Sequence, residues 1–573
     1  MKSKKMLASL LAVSLVSTFA LAGCGNKDDK PENGGNSGAE ATGQDAEQYL
    51  NVILAQEPKS IDPSKSTDVY SSQILANTQE CLTRIIQDED GKDKIVEGMA
   101  ESWETSEDQL TWTFKLRDAK WSDGEPVTAQ QFEYGIKRTL AGETASSYAF
   151  LLFPIKNAAE YNSDKASAED VGVKAIDDKT LQFTLTGPCP YFLDLTYFKV
   201  MEPQRQDIIE KHGDVYGTEA ETMVFSGPFK MTEWVHNSKV ELVKNENYWD
   251  AESVKLDKVT MKIIAETNSI MQELDNGGLD LAGVSKPEWI QKFNETGNFN
   301  VKKGYDGSTT YTFFNQNKEV DGQINIFSNA KVRQAFTIAM DREAKIETLR
   351  KGLGEPAYSF VPPQVQIGGE EYREKVGEMP IQKLKEKNPD PKKLLSEGLK
   401  ELGLDEDPSK ITVKYLYAGT DTSAKEWAEF EQQGYQKSLG INMEIEYVEW
   451  AIFQTRTDAM EYQMGSMAWG GDYNDPNTFL DFWVSDAKMV PTGWANEEYD
   501  KCIADAAKTA DPAERTKLFA RAEEILTAED AVCAPEAWRF KQTYIRKYVK
   551  GYSAALFGTP DYKYVYTEGR PSK

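Results

Sequence analysis

The chain has 573 residues, with 66 lysines and arginines against 93 aspartates and glutamates, a formal net charge of −27. That length exceeds what one hydrophobic core organises, and a polyanion is repelled by phosphate backbones, so a single compact module and a nucleic-acid binder are both disfavoured. Hydrophobic residues at 40% supply globular cores, while only two histidines, His212 and His236, leave little for histidine catalysis or a multi-histidine metal site.

At the N-terminus Lys2, Lys4 and Lys5 precede an apolar run from Met6 to Ala22, the pattern of an export signal. The run ends Leu21-Ala22-Gly23-Cys24, which resembles a bacterial lipobox. Residues 1–23 are therefore expected to be a lipoprotein signal peptide, and Cys24 the lipidated residue. Residues 24–48 contain no aromatic or branched aliphatic side chain and are expected to form a flexible tether. Tyr49 to Ala55 predicts a buried strand, where domain folding starts. Leu110 to Leu116 alternates with period two, as a half-buried strand does. Thr128 with Gln131 forms a capping box, and Phe132, Ile136 and Leu140 then stack along one helix face.

Further along, Ile411–Tyr417 and Ile441–Val448 read as strands flanking a helix over Ala424–Ser438, with Gly440 as its C′ residue, which makes a β-α-β unit. Asp511-Pro512 with Glu514 opens another helix that carries Leu518, Ala522, Ile525 and Leu526 inward. The alternation points to mixed α/β lobes. Cys81, Cys189, Cys502 and Cys533 are too sparse for a disulfide scaffold; Cys502 with Cys533 could pair, or all could be buried thiols.

The stretch GMAESWETSEDQLTWTFKLRDAKWSDGEPVTAQQFEYGIKRTL, residues 98–140, resembles the oligopeptide-binding family of ABC-transporter solute-binding proteins, with Gln131 where that family often has Asp. Similarity continues through Ser60-Ile61-Asp62-Pro63, Ser226-Gly227-Pro228-Phe229, NENYWD (245–250), VRQAFTIAMDRE (332–343) and GGDYNDPNTFLDFW (470–483). The resemblance implies a two-lobed, periplasmic-binding-protein-like α/β fold (type II, peptide-binding cluster) with an extra domain inserted in lobe one. We place lobe one at 49–75, 175–295 and 540–573, the inserted domain at 76–174 and lobe two at 296–539. It further implies an oligopeptide ligand, ABC permease subunits with cytoplasmic ATPases as partners, a monomer held to the membrane by its lipid, no enzyme activity, no cofactor and no metal. A lipid-anchored member fits the extracytoplasmic face of a Gram-positive cytoplasmic membrane.

By the same resemblance, Ala468-Trp469-Gly470-Gly471 forms a strand beside the peptide backbone, and Asp472 pairs with the peptide's α-ammonium. Paired glycines permit close approach of another backbone, and an enclosed carboxylate recognises the charge every free peptide carries. Alternatively DYNDP forms only an Asp/Asn/Pro turn. Ser66, Thr67 and Asp68 match the segment flanking the peptide on its other side. Trp450, Trp469, Tyr148 and Trp538 match aromatic pocket positions, or are ordinary core. The position of Ser466 is basic in some relatives that hold the peptide's C-terminal carboxylate; Arg456 is nearby but does not align with it. Other cargoes on the same fold are nickel, haem, an oligosaccharide or a signalling peptide; a different class is a carboxylate glycosidase, for which no pair of acids stands out.

Overall fold

The computed structural model describes residues 43–88, 91–377, 379–420, 422–485 and 489–571. Strand Tyr49–Leu54 lies parallel to Lys258–Ile263, which is followed across the sheet by the antiparallel strands Lys239–Lys244 and Phe229–Val235. Its period of two drops Leu50, Val52 and Leu54 into the core of lobe one beside Val240, Leu242 and Met261.

A second, antiparallel sheet runs Ala100–Thr105, Thr111–Leu116, Thr180–Thr184, Val173–Asp177. Helix Ala129–Leu140 covers it and buries Phe132, Ile136 and Leu140. The Gln131 Oε1 accepts from the Thr128 backbone N–H at 3.0 Å and from the Trp121 indole at 2.9 Å, so the glutamine closes the capping box and also ties down a core tryptophan. This sheet moves one expected boundary. The inserted domain does not stop at 174, because Val173–Asp177 and Thr180–Thr184 complete its sheet and its core continues through Phe192, Leu195 and Met201.

The third sheet has seven strands, in the order Leu281–Gly283, Cys533–Arg546, Phe299–Phe314, Met464–Gly470, Thr412–Ala418, Asn442–Val448, with Gly354–Pro356 also beside Cys533–Arg546. Its two long strands pair antiparallel, with register shifts between Tyr305 and Thr309 and between Thr310 and Tyr311. Ile545, near one end, packs with Leu281 in the core of lobe one, whereas Tyr311, Phe313 and Cys533 lie in the core of lobe two. The lobes are thus joined through continuous strands, and the expected boundary at 539/540 falls inside one of them.

The β-α-β unit forms as expected: Thr412–Ala418 and Asn442–Val448 pair in parallel, helix Thr422–Leu439 connects them, and Gly440 ends the helix at φ +75°. Helix Pro512–Glu524 is capped by Asp511, whose carboxylate accepts from the Ala513 amide at 3.0 Å. Ala522, Ile525 and Leu526 are buried; Leu518 is only half-buried, because Arg515 and Phe519, four residues apart, take the inner face. Cys81, Cys189, Cys502 and Cys533 are all free and buried.

The expected tether is shorter than 24–48. The Asp45 carboxylate accepts from the Gly569 and Arg570 amides, and the Gln48 side chain exchanges hydrogen bonds with the Thr567 backbone, so residues 45–48 already belong to the fold. Residues 1–42, including Cys24, lie outside the described residues.

Candidate functional site

Strand Met464–Gly470 has one closed and one open edge. It pairs with Phe299–Phe314 along its whole length, from Met464 opposite Phe314 to Gly470 opposite Ser308. On the other side its parallel neighbour Thr412–Ala418 is in register only with Met464 and Gly465. The Gly471 amide donates to the Gly307 carbonyl at 3.1 Å. Because backbone groups alternate edges along a strand, those of Ala468 and Gly470 point to the open side, where no strand among the described residues meets them.

The side chains secure this ridge from beneath. Trp469 turns inward, its indole N–H donating to the Thr478 carbonyl at 2.8 Å and its ring 4.4 Å from that of Phe482. A Cβ at Gly471 would stand 2.6 Å from the Phe557 ring and 2.7 Å from the Phe479 ring. Close approach at the glycines was expected from another backbone; at Gly471 it comes from two aromatic side chains. Ser466 donates from Oγ to Glu536 Oε1 at 2.9 Å, and Glu536 is in turn held by Lys345, which also pairs with Glu431, in a fully buried network.

The acids of the DYNDP run divide sharply. Asp475 is buried and takes a bidentate salt bridge from Arg515, at 2.7 and 2.9 Å. Asn474 accepts from the Gln366 amide at 2.8 Å. These are turn and packing roles. The Asp472 carboxylate, by contrast, has no hydrogen bond or ion pair among the described residues; only its amide is engaged, donating to Thr478 Oγ1 at 3.0 Å. Burial pushes this carboxyl up to about 6, an effect the Lys199 charge only partly offsets. Asp481, which accepts from the Asn477 amide group at 3.0 Å, is pushed up to about 7 by burial and by the charge of Asp472.

On the facing wall Ser66 is buried with its hydroxyl unpartnered, and Thr67 is exposed. Asp68 caps helix Val69–Thr78, accepting from the Ser71 amide and the Ser71 hydroxyl at 2.7 Å each. Tyr148 stands with its ring 4.9 Å from the Lys199 ammonium. Its hydroxyl is pushed up to about 12 by burial, then by the charges of Asp472 and Asp68, so Tyr148, Asp68, Lys199 and Asp472 share one electrostatic neighbourhood.

The other expected aromatics stand elsewhere. Trp538 is buried at 4% exposure in strand Cys533–Arg546, in register with Thr309, which itself faces Trp469. Trp450 is 52% exposed and stacks on Phe453. Arg456 is held by Glu446 at 2.6 Å and by the Glu461 carbonyl.

Two cations escaped the sequence reading, Lys199 and Arg350. The Arg350 guanidinium donates to Thr310 Oγ1 at 2.9 Å, lies 4.9 Å from the Trp427 ring and keeps a buried, unpartnered Nε; Thr310 is directly opposite Ala468. Neither cation carries a local signal, since Lys199 comes within range of the Asp472 charge, and Arg350 onto the strand beside the ridge, only through tertiary structure.

Comparison with known proteins gives one consistent answer. The profile of the bacterial extracellular solute-binding proteins, family 5 Middle, matches residues 94–490. The oligopeptide-binding protein OppA of Bacillus subtilis is 34% identical over 527 residues, 91% of this chain and 92% of its own. The dipeptide-binding protein DppE of the same organism is 36% identical over 534 residues, 92% of each. Among solved structures, the substrate-binding domain of an oligopeptide ABC transporter from Bacillus anthracis superposes with a TM-score of 0.75 at 30% identity, over 92% of this chain and 99% of that one. Listeria monocytogenes OppA bound to peptide gives 0.73 at 29%, over 91% and 99%. With its two-lobed α/β architecture, the chain belongs to family 5 of the bacterial extracellular solute-binding proteins.

Proposed function

We propose that this protein captures oligopeptides between its lobes outside the cytoplasm and delivers them to an ABC permease. The observation that carries the reading is the open edge at Ala468 and Gly470, ending in the half-buried carboxylate of Asp472, which is unpaired among the described residues. An extended peptide adds to such an edge through main-chain hydrogen bonds, which are indifferent to side chains, and its α-ammonium supplies the charge Asp472 lacks. Ser66, Thr67 and Asp68 flank the peptide on the opposite wall, Tyr148 borders its side chains, and Trp469 supports the ridge from beneath. Arg350 suits the C-terminal carboxylate: Ala468, opposite its partner Thr310, is four residues from Asp472, about 13 Å along a strand, the span of a short peptide.

The binding reading assigns no catalytic residue. Cys24 is the lipid attachment point, the stretch from it to Gly43 is the spacer, and the protein works as a monomer on the outer face of the cytoplasmic membrane of a Gram-positive cell. Calorimetry with a free tetrapeptide and its N-acetylated form tests the core of this proposal. The acetylated peptide should bind at least tenfold more weakly, since it leaves Asp472 buried without a counterion. Equal affinities would overturn the amine assignment and favour a cargo without an amine.

A further inference from the structure

The cleft contains an ionic group that peptide capture by Asp472 leaves unused. Lys199 opens the short turn Lys199–Met201 and is 6% exposed. Its ammonium makes no ion pair among the described residues; it donates to Ser72 Oγ at 2.9 Å and otherwise meets the rings of Tyr148 and Phe198 at 4.9 and 5.8 Å. Of three N–H donors, one has an oxygen acceptor.

A cavity of about 100 Å³ opens at this head, lined by Ser72, Gln79, Thr83, Tyr197, Lys199 and Glu202 among others. The Tyr197 hydroxyl and Glu202 Oε2 are buried there without a hydrogen-bond partner. Burial holds the Glu202 carboxyl well above its ordinary range and draws Lys199 down to about 8. Arg84, the other cation on this wall, is taken by Glu80 and Asp561, each at 2.7 Å. Cys81 also lines the cavity, as a thiol that burial raises well above its usual range. Phe557 forms part of the lining and is the same ring that meets Gly471, so one side chain separates cavity from ridge.

Asp472 and Lys199 feel each other's charge without touching. Lys199 is buried and Asp472 half-buried, each short of a contact partner among the described residues, and withdrawing an unpaired charge from water is costly. A ligand with an amine alone satisfies one of them. A ligand end carrying both signs satisfies both.

We propose that Lys199, with the Tyr197 hydroxyl and the Glu202 carboxyl, receives a carboxylate that the ligand carries within two residues of its α-amine. The inference rests on Asp472 holding that amine. The carboxylate has two sources, an Asp or Glu side chain at the start of a longer peptide or the α-carboxylate of a dipeptide. A Lys or Arg side chain in the same place is repelled.

Calorimetry on wild type and Lys199→Met decides the matter, because methionine keeps an unbranched stem against Tyr148 and Phe198 and removes the charge. Tetrapeptides identical except for Glu, Gln or Lys at the first or second position should rank in that order on wild type, Glu over Gln by about tenfold. The variant should lose the Glu-over-Gln preference; any change common to both peptides reports the Lys199 charge acting on Asp472 and cancels in their ratio. A dipeptide against its C-terminal amide gives the second arm: a difference present in wild type and lost in the variant identifies the terminal carboxylate as a source. Equal binding of Glu and Gln peptides together with equal binding of dipeptide and amide would overturn the proposal, as would a preference that survives Lys199→Met. Should that variant not fold, the wild-type ranking alone is decisive. N-acetylation without effect would instead defeat the Asp472 assignment, while the Glu-against-Gln comparison still reports on Lys199.

Discussion

Acidification should weaken peptide binding through one identifiable proton. Asp472 sits at about 6 in the empty protein, and only its ionised form attracts an ammonium. In the complex the ammonium pulls the same group down, so binding expels a proton wherever the empty site still holds one. With the carboxylate fully ionised in the complex, apparent affinity falls by about twofold at pH 6 and about tenfold at pH 5, relative to neutral solution. The peptide α-amine, at roughly 7.7 to 8, stays charged throughout this window and does not confuse it. Asp481, pushed up to about 7 and coupled to Asp472, spreads the transition upward. Calorimetry at pH 5 in two buffers of different ionisation enthalpy should report about 0.9 proton released per peptide. Asp472→Asn should bind weakly and with that release abolished. An affinity constant from pH 5 to 7, or the same release from the variant, would refute the reasoning.

Asp472→Asn should also make the empty protein more stable. Its carboxyl is raised from 3.8 to about 6, so the folded state binds the proton more tightly than the unfolded chain; stability falls as pH rises between those values, by up to about 3 kcal/mol at neutral pH, and thermal melting without peptide should show the gain. Asp475→Asn should do the reverse, breaking the buried pair with Arg515 at a cost of about 3–5 kcal/mol in chemical denaturation, while leaving the proton release on peptide binding in place. Cys24→Ser should shift the protein from the membrane fraction to the medium without altering its melting curve; continued membrane association would count against the lipid anchor.

Local pattern was enough for the β-α-β unit between Thr412 and Val448 and for the box at Thr128 and Gln131. These depend on neighbours a few residues apart. The distinction between Asp472 and Asp475 was not legible, because it depends on Arg515, 40 residues from Asp475, reaching one acid and not the other. Lys199 was invisible for the same reason: a lysine after Tyr-Phe looks like any solvated lysine until Ser72 and Tyr148 enclose it. The inserted domain's boundary was misplaced because Val173–Asp177 and Thr180–Thr184 read equally well as strands of either neighbouring sheet.

The clasp between residues 45–48 and 567–570 brings the first and last segments of the described fold side by side. A short linker could therefore join them and new ends be opened at an exposed turn elsewhere, giving a permuted chain with the same lobes. The clasp also fixes where mechanical load enters. If Cys24 carries the lipid, every tug from the membrane reaches lobe one at this knot of hydrogen bonds, far along the chain from the ridge. Lobe two then bears no direct load, which reaches it only through the long strands that join the lobes.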